Sequence, residues 1–133
     1  MEAVRALVAS GTSRTAYLVS VPHSPTYPYY IVSPSFALPE DGALDGTRAD
    51  LDLRIQVKAV ALTADAALIL ADLARAVLFA NWRPVPVTVA GYLAQVEWLR
   101  HEADYFDPDV FYPASNTNPA ISVDAYRLQA TPA

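Results

Sequence analysis

The sequence predicts an α+β fold: a mainly antiparallel sheet of about four to five strands, with a long helix and a short N-terminal helix packed on it. Three observations predict it. Residues 50–59 alternate apolar and polar side chains, the period of a strand with one dry face and one wet face. Residues 65–80 carry Ala and Leu at helical spacing. Runs rich in aromatic and β-branched residues at 15–21, 29–33 and 120–130 supply further strands. At 133 residues the chain is expected to form one domain, 1–133.

Val4, Leu7 and Val8 stand at helical spacing, and the SGTS that follows is a stop, which gives a short helix over 2–9. The runs TAYLVSV (15–21) and YYIVS (29–33) are separated by PHSPTYP, whose prolines cannot donate to a ladder, and together read as a hairpin rich in Pro and Tyr. Residues 34–49 form a long Pro/Gly/Asp stretch without a period; loops of this length are usually functional or disordered. The alternating strand follows. Thr63 then occupies an N-cap position with Asp65 in the first turn, predicting a helix to about Ala80. NWRPVP (81–86) ends it, because proline and the residue before it favour extended backbone. Over 87–102, Tyr92, Val96 and Leu99 suit a helix, whereas Val87, Val89, Tyr92, Val96 and Trp98 suit a strand; a strand bent near Gly91 is expected. Residues 104–119 read as a connection and 120–130 as the closing strand.

Composition narrows the function classes. The chain is 53% hydrophobic and 17% charged, against a usual charged share of about 25%. The absence of cysteine excludes disulfides, a thiolate nucleophile and cysteine-held zinc or iron-sulfur sites, and suits a reducing cytosol. Apolar runs are broken well short of the ~20 residues of a membrane span, so no membrane partner is expected. The N-terminus has no apolar core of a secretory signal. A net charge of -5, with Lys58 as the sole lysine, disfavours tight nucleic-acid binding.

Reactive chemistry is sparse. The glycines at 11, 42, 46 and 91 form no phosphate cradle, and no serine sits in a nucleophile elbow. His23 and His101 share no metal-ligand spacing. Asp104, Asp107 and Asp109 in DYFDPD are the best cation candidates, but Asp-Pro is a common turn starter, and a plain turn is expected. Glu40, Asp41 and Asp45 read as a solvated loop unless they reach a neighbouring subunit. The expectation is therefore no catalytic residue, no metal, no cofactor and no enzyme activity.

The helix is greasier than one buried face requires. At about 100° per residue, Ala66, Ala67, Leu70, Leu73, Ala74, Val77 and Leu78 gather on one side. The opposite side carries Asp65, Asp72 and Arg75, and also Leu68, Ile69 and Phe79. Two readings stand: scattered surface hydrophobes, which are normal, or a protein interface with an apolar centre and an Asp/Arg rim. The candidate contact residues are Leu68, Ile69, Asp72, Arg75 and Phe79. Tyr29 and Tyr30, in a proline-flanked edge segment, and the 35–49 loop are weaker candidates. For the tyrosines a half-buried edge strand is an equal alternative.

PYYIV (28–32), DLDLRIQVKAVALTADAALILADLARAVL (50–78) and VDAYRLQATP (123–132), in this order and spacing, resemble the tail terminator family of long-tailed bacteriophages, most closely the actinobacteriophage type. The 87–119 region is longer and more aromatic than that pattern. The resemblance implies a homo-oligomer, a hexameric ring that docks on the tail tube protein, ends tube polymerisation and joins a neck or head-completion protein. It implies a virion location, with assembly in the host cytoplasm and DNA passing through the lumen without specific binding. A weakly charged or acidic bore would suit that passage. Another neck or minor tail protein is the nearest alternative. A small ligand-binding domain with a Tyr/Trp-lined pocket is the more remote one.

Overall fold

The computed structural model describes residues 2–19, 27–34, 51–106 and 118–132. Helix α1 spans Glu2–Thr12, strand β1 Thr15–Leu18, β2 Tyr29–Pro34, β3 Leu51–Ala61, helix α2 Ala64–Leu78, β4 Val85–Val89, β5 Tyr92–Phe106 and β6 Ala120–Pro132, with a short 3-10 turn at Ala80–Trp82 between α2 and β4. The strands form one sheet in the order β1-β2-β3-β6-β5-β4.

This corrects the expected fold class. Among the described residues the sheet has six strands and is mixed, and strand outweighs helix. Two local features account for the difference. β1 and β2 are not a hairpin: they pair in parallel, from Thr15 opposite Tyr29 to Leu18 opposite Val32. The single bent strand expected over 87–102 is a hairpin, because Gly91 at φ 80° completes a two-residue turn that sets Val89 opposite Tyr92. β5 also continues to Phe106, into the stretch read as connection. The 35–49 loop, His23, Asp107 and Asp109 lie outside the described residues.

The alternation of β3 decides which face of the sheet receives the helices. Ile55, Val57, Ala59 and Ala61 are buried on one side, beneath α2, where Tyr126, Leu128, Tyr30, Val32 and Val96 join them. Tyr29, Val60, Ile121 and Val123 form a smaller buried cluster, with Tyr17, Tyr27 and Ile31 packed against it. α2 turns Ala67, Leu70, Ala71, Ala74 and Leu78 into the larger core. Leu78 is fully buried, a contribution of about 1.5–3 kcal/mol. The Thr63 hydroxyl accepts from the Ala66 amide at 3.2 Å and starts the helix.

α1 runs three residues beyond the expected end. It packs against α2 and touches both edge strands, β1 and β4, so the sheet curls around the helix pair. Gly11 lets the helices approach: a Cβ there would lie 2.6 Å from Val77 Cγ1. Arg5 Nη1 donates to the Ala16 carbonyl at 3.3 Å and ties α1 to β1. Among the described residues no helix is long and apolar enough to cross a membrane.

A candidate subunit-contact face along the second helix

With five residues of α2 turned into the core, the opposite stripe is Asp65, Leu68, Ile69, Asp72, Leu73 and Ala76, spaced three or four apart and all exposed. Leu68 is 46%, Ile69 60% and Leu73 42% exposed. The sequence spacing groups Leu73 with the side that packs on the sheet, but Leu73 is exposed and Ala71 takes the inward place. The stripe is therefore apolar along its middle, with Asp65 and Asp72 interleaved. Burying it against a partner would gain about 1 kcal/mol or more per large side chain.

The rim beside the stripe is built on charge. Arg75 Nη1 lies 3.3 Å from Asp72 Oδ1, and Nη2 lies 3.7 Å from Asp124 Oδ2. Its guanidinium carbon sits 4.6 Å from the centre of the Trp98 ring. Trp82 meets Trp98 edge to face at 6.0 Å and Phe79 at 5.8 Å. Phe79 is thus half-buried as the first step of an aromatic ladder, although the helical spacing sets it on the side away from the sheet. The ladder ends in solvent, since Trp82 is 70% exposed. Asn81 at φ 56° and Trp82 at φ 58° are consecutive left-handed residues, a conformation that costs an L residue about 1–2 kcal/mol.

Behind Arg75 lies a carboxylate that the sequence reading missed. Asp124 is 2% exposed, and its Oδ1 is 2.9 Å from His101 Nδ1, while His101 Nε2 is 2.9 Å from Asp104 Oδ2. The hydrogen bond to Asp124, supported by Asp104 and opposed by burial, holds the imidazole pKa above its ordinary value. Both ring nitrogens are engaged by carboxylates, so this His is a tie between β5 and β6. The inward phase of β6, at 122, 124, 126 and 128, was the available signal for Asp124.

At the other end of α2, Ala64, Ala67 and Leu68 face Phe106 and Ala120 across a crevice of about 240 Å³. Tyr29 and Tyr30 are elsewhere. Tyr30 is fully buried, its hydroxyl donating to the Leu70 carbonyl at 2.6 Å, and burial pushes its pKa up to about 12. Tyr29 is 7% exposed and packs against Tyr17 and Tyr27. The structure brings Leu68, Ile69, Asp72, Arg75 and Phe79 together along α2 and places both tyrosines away from that face.

No known protein family and no curated protein matches the chain. A solved structure does. The chain shares its fold with a component of a virion particle. The matching chain comes from a structure titled "Virion of native gene transfer agent (GTA) particle", with 14% identity, a TM-score of 0.59, and coverage of 96% of this chain and 92% of that one. At that identity the likeness is one of fold, and it runs through the whole arrangement of helices and sheet instead of one shared motif.

Proposed function

We propose that the chain is a non-enzymatic structural subunit of a phage-like virion, and within that class a tail terminator. It forms a ring on the end of the tail tube, stops its polymerisation and offers the other side to the neck. The observation that carries the reading is end-to-end likeness of fold to a chain of the gene transfer agent virion, over nearly all of both chains. The exposed Leu68, Ile69 and Leu73 stripe supports it. A subunit enclosed by neighbours has somewhere to bury such a stripe, and a solitary one does not. Capping by this means needs surfaces only: one that matches the last ring of the tube, and one that lacks the tube's repeating face.

The test is electron microscopy of particles assembled without this protein. Tubes of uncontrolled length without heads are expected. Tubes of normal length that fail to join heads would instead assign the subunit to the neck, and intact infectious particles would remove it from the assembly altogether.

A further inference from the structure

α2 carries a projecting aromatic at one end and an apolar recess at the other. Trp82 is 70% exposed and meets Phe79 and Trp98 in edge-to-face contacts. It stands on two successive left-handed residues, Asn81 and Trp82, where extended backbone would have been free of strain. The recess between Ala64, Ala67, Leu68, Phe106 and Ala120 has a volume of about 240 Å³, the scale of one bulky aromatic side chain, and its lining is chiefly apolar. The fifteen residues of α2 separate them, about 22 Å at 1.5 Å per residue, so the two cannot meet within one molecule.

We infer that Trp82 of one copy seats in the recess beside Ala64 of the next, joining copies head to tail along the α2 face. Charge agrees with that direction. Arg83 is exposed next to Trp82 at the projecting end, whereas the exposed Asp65 follows Ala64 at the edge of the recess, so a cation of one copy approaches an acid of the next. The two patches differ, which makes the contact heterologous, the type that closes into a ring when the rotation per subunit permits. The inference rests on the reading of the chain as a self-assembling virion subunit and adds which residues would meet.

The experiment is native mass spectrometry on concentrated wild-type protein, Trp82→Ala, Ala64→Glu and an equimolar mixture of the two variants. Ala64→Glu puts an acid in the first turn of α2, where the helix dipole favours it, and charges the mouth of the recess, so its fold is kept even where Trp82→Ala misfolds. The expected result is a closed multimer for the wild type and monomers for each variant. The mixture should give a one-to-one heterodimer that grows no further, because each variant retains the half that the other lacks. Multimeric Ala64→Glu or Trp82→Ala, or a mixture that stays monomeric, overturns the Trp82 seat alone. A monomeric wild type overturns the assembly reading along with it.

Discussion

Asp124 is a carboxylate in a core, and it stays there because His101 and Arg75 both reach it. The His101 pKa is raised in the fold above its unfolded value near 6.5. The interaction therefore adds stability that is fully present below about pH 6.5 and is lost as pH rises through the native pKa. The melting temperature of the wild type should fall across that rise, relative to His101→Phe, and an NMR titration should place the imidazole above about 6.5. A flat difference between the two proteins would remove the tie. Two buried tyrosines make a matched pair for the same reasoning. Tyr30 donates a hydrogen bond to Leu70, whereas the Tyr126 hydroxyl is buried without a hydrogen-bond partner among the described residues. Tyr30→Phe should cost about 1 kcal/mol in a denaturation experiment, and Tyr126→Phe should be neutral or stabilising by up to ~1 kcal/mol.

The long strand β5 shows how an element can conceal its own type. Trp98, His101 and Asp104 are three apart, a spacing that suits a helix, yet they lie along one strand, with Trp98 under Arg75 and His101 held between Asp124 and Asp104. Bulges between Trp98 and Arg100 and between His101 and Ala103 reset the alternation twice. A strict period of two would set His101 and Asp104 on opposite faces. The helix pair depends on a different local feature, the bare Cα of Gly11 against Val77. In an isolated helix Gly→Ala would gain about 1 kcal/mol. Here the added methyl meets a β-branched side chain with one favoured rotamer, and Gly11→Ala should lower stability by about 1–2 kcal/mol in urea denaturation. Val77→Ala in the same chain should recover most of the loss; equal stability of wild type and Gly11→Ala would mean that the helices can part freely.

At the scale of the molecule, α1 and α2 lie in a curled sheet, and α2 has its back exposed. The stripe is the feature that a neighbour would cover. Leu68→Asp with Ile69→Asp replaces two exposed side chains that are outside the core. The double variant should keep its stability within about 1 kcal/mol of the wild type, as surface changes do, while light scattering should show it as a monomer where the proposed assembly makes the wild type a multimer. Multimers of unchanged size would clear α2 of a part in assembly. Phe79 is a poorer choice for such a test, because its ring supports Trp82, and a charge there would disturb the ladder as well as the surface.

The sequence by itself determined the elements whose periods are regular. The alternation of β3 and the Thr63 cap before an Ala/Leu helix are local signals that neighbouring residues reinforce, and the excess of apolar side chains on α2 was legible in the same way. Leu73 and Phe79 exchanged exposure because the direction of the buried stripe is set by where the helix lies on the sheet, which a wheel does not contain. The parallel pairing of β1 with β2, the extra strand made by the turn at Gly91, and the meeting of Arg75, His101, Asp104 and Asp124 were decided only by tertiary structure. Strand partners and bulges are fixed by contacts between residues far apart in the chain, and no local period encodes which distant backbone a strand will join.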